Sequence, residues 1–261
     1  MNLELFVIPL ACVQIAILLY IIVRAVRLIG SGRRSMAVVF FLFAAFSLLL
    51  SDLYWITYDL LRPGTRMPFA ANEIGEGATF LLLGAALNTI FQPAPRAAWR
   101  ETALAALFAG ACTALWIGWT GEWVDDILTG VCLGYLLCST VRSFKLSDAL
   151  SRRQWLTVGV GAAILIAGQA VTFFVPEPVR SAVDLGCYIL LLLSIVFFFG
   201  LHAFCGRGNS RQAVGLSFGC YGWSVCMMYM SAGIYYVIAY ACATVSLLLM
   251  LRAVRKEVSR A

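Results

Sequence analysis

Long apolar runs bounded by short polar or basic clusters recur along the whole chain. A helix needs about 20 apolar residues, at 1.5 Å each, to cross a hydrocarbon core roughly 30 Å thick. On that measure the pattern predicts spans near 4–28, 36–61, 70–92, 102–120, 124–141, 154–175, 180–204, 213–230 and 233–251. The last two divide at Met228 to Gly233, "MYMSAG"; undivided they would make one helix of about 58 Å, nearly twice the core. Nine helices are expected, with eight as the alternative.

Composition agrees with that reading. The 261 residues are 62% hydrophobic and 12% charged, with a mean hydropathy of +0.91, whereas soluble domains hold about 45–50% apolar and about 25% charged residues. The expected fold class is an all-α, polytopic membrane bundle. Residues 1–261 are expected to form a single transmembrane domain, with no room among them for a soluble catalytic or nucleic-acid-binding domain.

Charge orients the bundle. With the N-terminus outside, the inner connections collect Arg24, Arg27, Arg33 and Arg34; Arg96 and Arg100; Arg142, Lys145, Arg152 and Arg153; Arg207 and Arg211; and Arg252, Arg255, Lys256 and Arg260. Only Arg62, Arg66 and Arg180 of the 19 basic residues fall outside. This is the bias of positive loops toward the cytoplasm, and missing one helix would reverse every later loop. The expected topology is N-out and C-in, in a bacterial cytoplasmic membrane, and the net charge of +6 reads as contact with anionic inner-leaflet lipid rather than nucleic acid.

The first apolar run follows Glu4 with no preceding base and precedes Arg24 and Arg27, so it reads as a retained helix rather than a cleaved signal. Nine cysteines scattered through the spans, with no CxxC pair, fit packing better than a disulfide framework or a zinc site. Gly130 with Gly134, and Gly215 with Gly219, give small-xxx-small faces for close helix approach. No internal repeat supports an inverted-repeat architecture.

Candidate chemistry lies in the polar groups inside the spans, which are expensive at membrane depth and turn toward a bundle interior or cavity. Asp52 lies about 14 Å from the outer end of the second span, near the midplane, and Asp59 follows two turns later on the same face, with Trp55 between them. The third span opens with Asn72, Glu73 and Glu76, where the helix dipole favours carboxylates. Asp184 and Tyr188 sit on one face of the seventh span, Gln169 in the outer half of the sixth, and Asp125 and Asp126 begin the fifth. If these faces meet, they line one acidic vestibule open to the outside.

Plainer roles compete. Glu73, Asp59, Asp125 and Asp126 fit as interfacial caps, first-turn acids or partners of Arg62 and Arg66. Capping cannot account for Asp52 and Glu76 at their depth. Trp116, Trp119 and Trp123 fit an interfacial belt, while Tyr54, Trp55 and Tyr58 flank the acids and suit the walls of a cation site.

Several intramembrane chemistries lack their residues. The only lysines, Lys145 and Lys256, lie in an inner loop and the tail, away from any Schiff-base position; His202 is the single histidine; "GLSFG" at Gly215 to Gly219 is not a serine-nucleophile turn; and Tyr58–Asp59 has no GxGD partner. No cofactor is indicated.

Three readings from different classes fit. The first is a binding or transport protein taking a cation, proton or cationic small molecule, with Asp52 and Glu76 as inner ligands and Asp59, Glu73 and Asp184 as the entrance. The second is an enzyme using two carboxyls as general acid and base on a lipid. The third is a sensor or assembly subunit, acting as a homo-oligomer or through a partner membrane protein. The sequence favours the first, under which the protein is not an enzyme; the second keeps an enzyme as an alternative.

Overall fold

The structure, a computed structural model, describes residues 4–30, 35–62, 71–91, 99–205 and 209–259. Among them the chain is all-helical: α1 (Glu4–Gly30), α2 (Met36–Leu61), α3 (Ala71–Ile90), α4 (Trp99–Thr120), α5 (Trp123–Leu146), α6 (Arg152–Val171), α7 (Val179–Cys205), α8 (Ser210–Met230) and α9 (Ile234–Val258). Each corresponds to one expected span, and α8 and α9 part at Ser231 to Gly233. Gly233 takes φ 65° there, a left-handed conformation that glycine adopts without a side-chain clash.

Seven helices, α1, α2, α4, α5, α6, α7 and α9, are long and apolar enough to cross a membrane, so the chain is a multi-pass integral membrane protein in contact with lipid. The two less apolar helices have protein around them. α8 packs on α5, α7 and α9, and α3 packs on α2 and α5. Contacts between neighbours run α1, α2, α3, α5, α4, α6, α7, α9 and back to α1, a closed ring with α8 inside. Most of α8 is buried, including Ser217, Ser224, Gly215, Gly219 and Gly222. A helix shielded from lipid can carry small and polar residues that a lipid-facing helix cannot. α6 is the opposite case, with only Leu165 and Gln169 buried.

Small residues set the helix spacing. A Cβ on Gly130 would lie 1.9 Å from Thr113 Oγ1, one on Gly219 2.5 Å from Phe144 Cζ, and one on Gly75 2.9 Å from Ser51 Cβ. These contacts bring α5 to α4, α8 to α5, and α3 to α2. Ser51 Oγ donates to the Asn72 carbonyl at 2.8 Å, and Asn88 Nδ2 donates to Tyr135 Oη at 3.0 Å and Ser139 Oγ at 2.9 Å. All nine cysteines are free.

The described basic residues cluster at one end of the bundle, on the last turns of α1, α5 and α9 and the first turns of α4, α6 and α8, while Arg62 and Arg180 lie at the other. Lys145 pairs with Glu101 at 3.0 Å and Arg211 with Glu257 at 3.2 Å at the basic end. The opposite end, with the α6–α7 and α8–α9 connections, is termed outer below.

Candidate functional site

The close α2–α3 approach at Gly75 places Asp52 beside Glu76, and both line a cavity of about 30 Å³ at the heart of the bundle. This is room for two or three waters, at roughly 10–15 Å³ each. Its walls come from five helices: Gln14 of α1, Asp52 of α2, Glu76 of α3, Tyr221 and Tyr229 of α8, and Tyr240 of α9. Asp52 is 8% exposed, and no Lys or Arg stands among the described lining residues.

The polar atoms form two short relays. Gln14 Nε2 donates to Asp52 Oδ2 at 2.9 Å, and Gln14 Oε1 accepts from Thr244 Oγ1 at 2.5 Å. Tyr229 Oη donates to Glu76 Oε2 at 2.5 Å. Phe80 of α3 packs on Tyr221 with ring centroids 6.5 Å apart, and Trp116 packs on Tyr229 at 5.2 Å. The acids are therefore enclosed by phenols and one amide in an otherwise apolar setting.

A second cavity, of about 430 Å³, opens at the outer end between α4, α6, α7 and the α8–α9 connection. Gln169, Asp184 and Tyr188 line it together with Arg180, Trp119, Phe173 and Tyr229. Gly168 permits this convergence, since a Cβ there would lie 2.7 Å from Cys187 Sγ on α7. Trp119 and Phe173 stack with centroids 6.0 Å apart and planes 8° from parallel. Tyr229 belongs to both cavities.

The candidate residues thus fall into two groups rather than one vestibule. Asp52 and Glu76 meet in the inner cavity; Gln169, Asp184 and Tyr188 meet in the outer one. Trp55, Asp59, Asn72 and Glu73 are partly buried on α2 and α3 and line neither. Arg66 lies outside the described residues. Asp126 accepts from Thr120 Oγ1 at 2.5 Å across the α4–α5 turn, a local structural role. Trp116 does not join an interfacial belt; it is 4% exposed, inside the bundle, because its position on α4 faces Tyr229.

Gln14, Tyr221, Tyr229, Tyr240 and Thr244 surround Asp52 and Glu76 without having been singled out by sequence. Gln14 carried a usable signal, as a lone amide within a long apolar run; the tyrosines look like ordinary helix residues until α8 and α9 are packed.

A third cavity, of about 150 Å³, lies toward the basic end between α4, α5, α6, α7 and α8. Its lining is apolar apart from Thr140 and Glu101, and Lys145 pairs with the latter. No family model, curated protein or solved structure matches the chain.

Proposed function

We propose that this multi-pass protein binds, and carries across the membrane, a proton or a small inorganic cation held between Asp52 and Glu76, in one membrane domain with its basic end in the bacterial cytoplasm. The observation behind this reading is that two carboxyl side chains from adjacent helices share one central cavity whose described walls hold no base. An ionised carboxylate withdrawn from water needs a cation, a proton or ordered water to compensate it. Gln14 engages Asp52 Oδ2 and Tyr229 engages Glu76 Oε2, leaving Oδ1 and Oε1 for that occupant.

The cavity's size narrows the ligand class. About 30 Å³ suits a proton with water or one bare cation, and not a cationic amphiphile. A carboxyl acid/base pair acting on a lipid has less support, because the same volume admits no headgroup. The test is reconstitution into liposomes loaded with a pH-sensitive dye, with an imposed potential and with Na⁺ or K⁺ gradients. Wild type should carry a proton or cation flux that Asp52→Asn and Glu76→Gln each reduce about tenfold or more. Equal flux through wild type and both variants would refute the assignment.

A further inference from the structure

The outer cavity carries chemistry of a different kind. Gln169, one of only two buried positions on α6, is 2% exposed and lines this cavity, yet its Nε2 has no hydrogen-bond partner. A buried amide donor left open is costly, and an apolar residue would suit this lipid-facing helix better. Across the cavity Arg180 and Asp184 stand one turn apart on α7. The ion pairs among the described residues are Lys145–Glu101 and Arg211–Glu257, so Arg180 and Asp184 are not closed onto each other in a direct ion pair. The cavity therefore offers a cation and an anion around the stacked Trp119 and Phe173 rings, with the unpartnered Gln169 amide buried in its wall.

We propose that this cavity binds a small zwitterion of the amino-acid class. Its carboxylate would accept from the Arg180 guanidinium and the Gln169 amide, its ammonium group would face Asp184, and its side chain would lie against Trp119 and Phe173. A simple cation would leave Arg180 facing like charge, and a simple anion would do the same to Asp184; a zwitterion matches both. The volume, about 430 Å³, accommodates such a molecule. Tyr229 forms part of the wall and also donates to Glu76, so the zwitterion and the proton or cation sit on two sides of one phenol.

The test uses the purified full chain in detergent, with calorimetric titration and thermal unfolding. L-phenylalanine and L-serine are the probes; 2-phenylethylamine and 3-phenylpropionate are the single-charge controls. At least one amino acid should bind and raise the melting temperature, with both controls at least about tenfold weaker, a difference of about 1.4 kcal/mol. Arg180→Ala and Asp184→Asn should each weaken amino-acid binding by about tenfold or more. Gln169→Leu should weaken it while leaving the unliganded melting temperature unchanged or higher, a combination that a merely structural glutamine would not give. Asp52→Asn should retain amino-acid binding, which separates this site from the central one. The proposal is overturned if neither amino acid binds, if 2-phenylethylamine binds as tightly as L-phenylalanine, or if the three cavity variants bind like wild type.

Discussion

Two buried glutamines divide the molecule into regions with opposite logic. Gln14, 3% exposed in the centre, uses both ends of its amide, giving a hydrogen bond to Asp52 and taking one from Thr244. Gln169, 2% exposed at the outer cavity, gives none through Nε2. A buried amide satisfied at both ends holds α1, α2 and α9 in register, whereas one left open at Nε2 braces nothing through that donor, as the proposed zwitterion site requires. The central cavity is small and its hydrogen bonds are internal; the outer one is about 430 Å³, and among the described residues its Arg180 and Asp184 form no direct ion pair.

That contrast can be broken by substitution, with stability read from titration of the detergent-solubilised protein into a denaturing detergent. Gln14→Leu should give the largest loss, about 3 kcal/mol, because it strips a buried carboxyl of its donor and leaves Thr244 only the Tyr240 carbonyl at 2.9 Å. Little or no loss would mean that the central relay does not brace the bundle. Gly130→Ala, which changes no polar group, should cost about 2 kcal/mol by forcing α4 and α5 apart at Thr113. Tyr229→Phe removes only the hydroxyl on Glu76 and should cost about 1 kcal/mol. Gln169→Leu should cost nothing: a loss as large as that of Gln14→Leu would erase the distinction between the two regions.

The sequence carried the helices more fully than their neighbours. Apolar run lengths and basic clusters marked all nine elements, and the stretch Met228 to Gly233 marked the α8–α9 break, because these are properties of single segments. The place of α8 inside the ring was not legible: its serines, glycines and cysteines resemble a poor membrane span until lipid is known to be absent around it. Asp52 and Glu76 stood out by depth alone, since a carboxyl there has few uses. Their partners did not, because Gln14, Tyr229, Tyr240 and Thr244 come from three helices whose faces converge only through packing. The same limit left open whether these faces meet in one vestibule; the described residues line two cavities. Asp184 and Gln169 face each other across α6 and α7, away from α2 and α3, and nothing in their spacing along the chain specifies that ring order.

The central claim, an exchangeable proton or cation between Asp52 and Glu76, is tested most directly by infrared difference spectroscopy of the purified protein in lipid. Spectra would be taken across a pH titration and on addition of Na⁺ or K⁺, for wild type, Asp52→Asn and Glu76→Gln. The account predicts a carboxyl band that changes with pH or with one of these cations and that is lost or displaced in both variants while each remains folded. A wild-type carboxyl spectrum indifferent to pH and to both cations, together with an Asp52→Asn protein that melts markedly earlier, would contradict it and make Asp52 a structural anchor for Gln14.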